Sequence, residues 1–222
     1  MAREQVETAP PVERQRGPRL GLRELTLLPV IVLVIIAGAF ASDAFLTVDN
    51  FLNILQQSSE LSVVVIAETL ILLAGKFDLS LESIVGIAPM LGAWLITKNV
   101  EIGGSGVGLD ARLAIVVVLL TGAAVGAANG FLIVRLRLNA FIVTLAMLIL
   151  LRGAQLGITG GKTLFDLPDH YLYLGSGKWL NIPVSIWIAA ILYLAFGLFL
   201  RFHRLGRALY AIGGNAEAAR VV

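Results

Sequence analysis

Two ionisable side chains stand inside long apolar stretches, where a charge is costly. Glu68 lies seven residues into one apolar run and Arg152 eleven residues into another. At 1.5 Å per residue, Arg152 is about 16 Å along its helix, and Glu68 is also near mid-depth. An unpaired charge at the centre of a membrane helix costs about 2.5–3.5 kcal/mol on insertion scales. Two compatible readings meet that cost. Glu68 and Arg152 pair with each other and hold helices together, or they line a polar path for a solute. Asp78 and Ser80 precede a third apolar run. Both are natural helix N-caps, whose side-chain oxygens accept from free backbone N–H groups. They also fit a break that carries polar groups inward, because irregular backbone at membrane depth persists only where it is buried or lines a cavity. Asn129, set among Gly and Ala, is a further polar group placed to face such a path.

Other chemistries find no support. The chain has no cysteine, so it has neither a disulfide framework nor a thiolate metal site. The 2 His and 15 acidic residues show no metal-ligand spacing. No nucleophile–base constellation is visible, which argues against an enzyme. Gly160-Gly161-Lys162-Thr163 looks like the end of a phosphate-binding loop, but such a loop needs a glycine where Leu156 stands. A net charge of +2 is too small to suggest nucleic acid.

The elements that must position these residues are membrane helices. Hydrophobic residues make up 58% of the chain and charged residues 14%, against about 25% charged in soluble domains. A soluble chain of that composition could not cover itself with polar surface; lipid removes the requirement. Apolar runs lie near 25–41, 61–74, 84–97, 113–134, 141–158 and 182–200. They predict an all-α, polytopic transmembrane bundle of about six spans over residues 25–200. The second and third runs are short and separated only by Gly75 to Ser80, so a re-entrant pair competes with two full spans. The mixed polar stretch Val48 to Glu60 is placed to lengthen the second helix. Residues 1–24 are rich in Arg, Glu and Pro and predict a disordered tail. Ala39-Phe40-Ala41 has the form of a signal cleavage site, but the leading region is too long and the chain stays apolar afterwards. Gly122, Gly126 and Gly130, four apart, predict a smooth face for close helix packing.

Orientation follows from Lys and Arg. With the N-terminus in the cytoplasm, the inner segments carry Arg3, Arg14, Arg16, Arg19, Arg23, Lys76, Arg135, Arg137, Arg201, Arg204, Arg207 and Arg220, which is 12. The outer ones carry Lys98, Arg112, Lys162 and Lys178, which is 4. Dropping the short pair of runs leaves this parity unchanged.

The last segment is the most informative. A basic flank, Arg201 to Arg207, leads into Ala208 to Ile212 and then Gly213-Gly214-Asn215-Ala216-Glu217-Ala218-Ala219-Arg220. The two glycines predict a tight turn with positive φ, Asn215 the cap of a helix beginning near Ala216, and Ala218 and Ala219 a smooth face able to enter a groove on another protein. Gly206-Arg207 through Arg220 resembles the cytoplasmic coupling loop of ribose/xylose/galactose-type ABC importer permeases. Further matches follow in order: Phe45-Leu46-Thr47 with Asn50 and Asn53-Ile54-Leu55; Gly75 and Asp78-Leu79-Ser80 with Ser83; Asn129-Gly130; Phe141 to Leu145; and Arg152-Gly153. The resemblance covers Phe45 to Arg220. Lys76 and Glu82 depart from glycines of the family pattern, and Glu68 stands where an apolar residue is usual.

The resemblance implies a pore-forming subunit moving a monosaccharide or similar small polar solute across the bacterial inner membrane. Its substrate path would carry Glu68, Asp78, Ser80, Asn129, Thr144 and Arg152. Its ATPase-coupling residues would be Gly206, Arg207, Gly213, Gly214, Asn215, Glu217, Ala218 and Ala219. The implied partners are a cytoplasmic ABC ATPase that uses ATP and Mg, an extracytoplasmic sugar-binding protein and a second permease copy or paralogue. This chain itself would bind no cofactor. Because Val222 falls inside the family's coupling helix, the sequence looks like the N-terminal part of a permease, with residues 201–222 as a truncated coupling loop. The alternative class is an ion- or proton-coupled secondary transporter with Glu68, Asp78 and Arg152 as a relay. A membrane scaffold, the third class, would tolerate substitution at all these positions.

Overall fold

The computed structural model describes residues Leu27–Asn215. The tail at 1–24 and the coupling residues Glu217, Ala218 and Ala219, with the helix expected from Ala216, lie outside them. Compact units meet at Phe51/Leu52. The described part of the first holds α1 (Leu27–Ala41) and the turn that follows, where the Thr47 hydroxyl donates to Ala44 O at 2.7 Å and the Asn50 amide to Phe45 O at 2.7 Å.

The following elements are α2 (Val48–Leu73), α3 (Leu81–Ile96), α4 (Ala111–Gly130) continued by a π-helical turn (Phe131–Arg135), and α5 (Ala140–Thr159). Then come α6 (Asp169–Ser176), the two-residue strands β1 (Lys178–Trp179) and β2 (Ile182–Pro183), α7 (Val184–Phe202) and α8 (Arg204–Gly214). The antiparallel β1–β2 pair turns through Leu180 and Asn181, both at positive φ, the geometry of the tight hairpin turns that match strand twist.

Four helices among the described residues are long and apolar enough to cross a membrane: α2, α4 with its π-helical extension, α5 and α7. The α1 and α3 helices, at 15 and 16 residues, are shorter, about 22 and 24 Å against a hydrocarbon core of about 30 Å. The expected pair 61–74 and 84–97 is therefore unequal. Polar residues from Val48 onward extend the first to 26 residues, while the second stays short because its N-terminal side is taken up by the Gly75–Ser80 break.

The short helix is nonetheless the centre of the second unit. It packs chiefly on α4 and α5 and buries Ser83, Ile87, Ala88, Gly92 and Ala93 on one face. Small side chains there allow close approach: a Cβ on Gly86 would meet the Gln155 amide oxygen, and one on Gly92 would meet Val118 and the Tyr171 hydroxyl. The predicted glycine face of α4 fares differently. Gly122 sits beside Ile84, but nothing lies within 4 Å of a Cβ at Gly126 or Gly130. Close packing on α4 instead uses Ala114, fully buried one turn from the helix start.

Basic residues gather at one end of this unit. The break after α2 and the turn before α5 bring Lys76 and Arg137 to one cleft, Arg135 closes the π-helical turn just before it, and Arg201, Arg204 and Arg207 lie at the α7–α8 junction. A Cβ on Gly213 of α8 would overlap the Leu73 carbonyl at the end of α2, which ties α8 to the same end.

Candidate functional site

The polar centre is built on the break between α2 and α3. Asp78 Oδ1 accepts from both the backbone N–H of Ser80, at 2.8 Å, and the Ser80 hydroxyl, at 2.6 Å. This local loop is the usual way for Asp to stabilise a turn two residues on. The Asn129 amide of α4 donates to Ser80 Oγ at 2.8 Å. Asp78 N–H donates to Glu68 Oε1 of α2 at 3.5 Å, a long contact. Ser80 is fully buried and Asn129 is 3% exposed. Four of the six residues expected on a substrate path therefore form one chain of polar contacts from α2 through the break to α4.

That network is not closed. Among the described residues, Glu68 Oε2 and Asn129 Oδ1 are buried acceptors with no hydrogen-bond partner. Each such group costs about 1–3 kcal/mol. The direction of the Asn129 amide is fixed by its neighbour: the Ser80 hydroxyl already donates to Asp78, so Asn129 must present its NH2 to Ser80 and its oxygen elsewhere.

Ser80 does occupy the N-cap position of α3, but its side chain makes no cap hydrogen bond, because Asp78 and Asn129 take its hydroxyl. Arg152 does not pair with Glu68. Its guanidinium donates to Glu82 Oε1 at 3.1 Å, and the two side chains are 65% and 64% exposed. Glu82 is the second residue of α3, two positions from Ser80 and so on another side of the helix. Arg152 lies twelve residues beyond the start of α5, about 18 Å along it. The ion pair thus lies about halfway along α5, beside the start of α3, on the exposed side of the α3–α5 pair. Thr144 joins neither group; it is fully buried and its hydroxyl donates to Ala140 O at 2.9 Å within its own helix.

At the opposite end a cavity of about 450 Å³ lies between α3, α5 and the segment leading to α6, with Gln155, Thr159, Lys162 and Tyr171 among its lining. The Tyr171 hydroxyl donates to Pro89 O at 2.6 Å. Burial pushes this phenol above its usual value, and a backbone hydrogen bond with Ala93 opposes the shift. Gly160 ends α5 at φ 61, with Gly161 also left-handed, so the double glycine that mimics a phosphate loop is a helix stop. Gln155 and Tyr171 were not legible as site residues: neither belongs to a motif, and only the fold brings them to α3.

The coupling residues need the largest correction. Gly213 and Gly214 are the last residues of α8, not a left-handed turn. Asn215 follows as its C-cap, with its backbone N–H bonded to Ala211 O at 3.0 Å. Gly206 is buried where a Cβ would overlap the Phe199 carbonyl, and the exposed Arg207 donates to Phe202 O at 3.0 Å. These glycines permit α8 to lie against the ends of α7 and α2.

The sequence matches the family described as "Branched-chain amino acid transport system / permease component" over residues 50–222. The chain belongs to this permease family. The permease is similar to the ribose import permease protein RbsC of Escherichia coli K12, 32% identical over 90% of this chain and 60% of the relative. The L-arabinose transport system permease protein AraH of the same strain is 32% identical over 88% and 57%. The autoinducer 2 import system permease protein LsrC of Escherichia coli K12/DH10B is 30% identical over 89% and 55%. The permease thus spans between 55% and 60% of the length of these relatives. No solved structure matches it. The match covers the break, the Glu82–Arg152 pair and α8 alike.

Proposed function

We propose that this chain is a pore-forming permease subunit of an ATP-driven ABC importer, moving a monosaccharide or similar polyhydroxylated solute across the bacterial inner membrane. The observation that carries the reading is the ion pair Glu82–Arg152, nearly two-thirds exposed about halfway along the apolar helix α5. Facing lipid, each charge would cost about 2.5–3.5 kcal/mol; lining a water-filled path shared with a second permease copy or paralogue, it would not. The substrate path then carries Glu68, Asp78, Ser80, Asn129 and Arg152, with Thr144 packed behind it. The unpartnered acceptors Glu68 Oε2 and Asn129 Oδ1 suit hydroxyl donors of a sugar. Two relatives are named for the pentoses ribose and L-arabinose, which agrees with that chemistry.

In this reading the chain crosses the membrane about six times, α1 and α3 included, with the N-terminus and the basic end in the cytoplasm. Residues 1–24 form the tail, 25–200 the membrane domain and 201–222 the coupling segment. Coupling runs through Gly206, Arg207, Gly213, Gly214 and Asn215 and on to Glu217, Ala218 and Ala219. A cytoplasmic ATPase that uses ATP and Mg grips this segment, and a binding protein delivers solute from outside. The chain supplies the path and the lever rather than catalytic groups, so it is not itself an enzyme.

The natural lack of cysteine gives a direct test. In the permease assembled with its ATPase and binding protein, Arg152→Cys should react with a membrane-impermeant, charged thiol reagent. Leu150→Cys, 64% exposed on the same helix, should not. Equal protection of both would place the ion pair away from water and remove the reading. In the same assembly, uptake stopped by vanadate but not by an uncoupler supports the ATP-driven class; the reverse result selects an ion-coupled secondary transporter.

A further inference from the structure

An open cleft of about 690 Å³ lies where α2 ends and α5 begins. Lys76 lines one side and Arg137 the other. Both side chains are exposed, and neither forms an ion pair among the described residues. The nearby carboxylate of Asp78 is turned away into the Ser80 contacts. Arg137 is held at φ 57, a conformation that non-glycine residues seldom keep without a local reason. It is bracketed by Leu136 N–H on Phe131 O and Leu138 N–H on Leu132 O, which fix the turn that presents it.

The rim of this cleft is apolar and exposed: Leu72 is 52% exposed, Phe77 45%, Leu138 47% and Phe141 55%. Two cations among four exposed apolar side chains, at the end of the spans α2 and α5, make an amphipathic surface at the depth of the membrane–water boundary. A free inorganic anion would use the cations but not the rim. We propose that this cleft binds an anionic phospholipid, its headgroup phosphate between Lys76 and Arg137 and its acyl chains along Leu72, Phe77, Leu138 and Phe141. Basic pockets between membrane helices attract such headgroups, and a planar guanidinium suits a phosphate. The inference needs only that this end meet a leaflet; it stands whether or not the transport reading does.

The test is thermal unfolding of the purified 222-residue chain in a zwitterionic detergent, with dioleoylphosphatidylglycerol, dioleoylphosphatidylcholine or inorganic phosphate added. Phosphatidylglycerol should raise the midpoint at concentrations where the other two do not. In Lys76→Gln with Arg137→Gln, the lipid concentration giving half the rise should increase about 25-fold, each basic residue contributing about fivefold. The charge-keeping exchange Lys76→Arg with Arg137→Lys should stay near wild type, which separates lost binding from lost folding. Lys98→Gln with Lys178→Gln, at the opposite end, should leave the response unchanged. Equal stabilisation by the two lipids, a full effect from inorganic phosphate, or an undiminished response in the double glutamine variant would each overturn the proposal. So would loss of ATPase co-purification in that variant with lipid binding intact, because the cleft would then be a protein contact.

Discussion

Ser80 and Glu82 stand two residues apart at the start of one helix and have opposite surroundings. Ser80 is fully buried, bonded to Asp78 and Asn129, in a network that links α2, the break and α4. Glu82 faces outward in an ion pair with Arg152, both side chains nearly two-thirds exposed. The helical period separates them: two residues turn the side chain by more than half a circle. The difference matters for energetics. A buried network is costly to leave half-made, because each lost partner strands another group. An exposed pair is screened wherever water reaches it and contributes little to stability. The buried group therefore holds the helices, while the exposed pair contributes little to holding them.

The largest expected effect lies in the buried half. Ser80→Ala removes the acceptor for Asn129 and the hydroxyl donor to Asp78, whose carboxylate keeps the backbone N–H of residue 80; it should destabilise the chain by about 2 kcal/mol, chiefly from the stranded Asn129 amide. Unfolding in mixed detergent micelles measures it; a loss under 0.5 kcal/mol would erase the distinction between the two groups.

A smaller effect sharpens the other half. Glu82→Gln and Arg152→Gln should each lower stability by no more than about 1 kcal/mol, with a coupling energy of about 0.5 kcal/mol in a double-mutant cycle. Glu68→Gln with Arg152→Gln should be additive, since those two do not touch. Uptake by the assembled importer should fall in the Arg152 variant at unchanged protein yield. If the Glu68–Arg152 cycle shows the larger coupling, the pairing described above is wrong.

The smallest effect is expected at the far end of α3. Tyr171→Phe removes one hydrogen bond, to Pro89 O, from a partly exposed site, and should cost about 0.5 kcal/mol, the low end for such a bond. Ser80→Ala should exceed it in the same unfolding assay; the reverse order would shift the structural centre of α3 from the break to α6.

Much of this was legible in the residues and some was not. The polar residues of the break were recognisable because Gly75, Asp78 and Ser80 interrupt two apolar runs, and charges inside such runs announce themselves by their cost. What each polar group bonds was not recognisable. Arg152 was expected to pair with Glu68, but the acid it meets is Glu82, a choice that depends on which face of α3 meets α5. Gly213-Gly214-Asn215 looked like a turn because glycines usually mark one, yet Gly213 is helical and is needed for its lack of a Cβ against the Leu73 carbonyl. The glycine stripe on α4 was readable as a smooth face, but Gly126 and Gly130 meet nothing among the described residues.

The sequence by itself determined the membrane class, the approximate helix positions, the uneven distribution of Lys and Arg and the family. These follow from composition, periodicity and local order, which are properties of neighbours along the chain. Only the tertiary structure decided that Asn129 reaches Ser80 across 49 residues, that Arg152 chooses Glu82, and that Lys76 and Arg137 line one cleft. Such pairings depend on the rotation and depth of one helix against another. Those are fixed by the fit of small residues such as Gly86, Gly92 and Ala114 at the helix contacts, and an apolar run has the same hydropathy whichever way it turns.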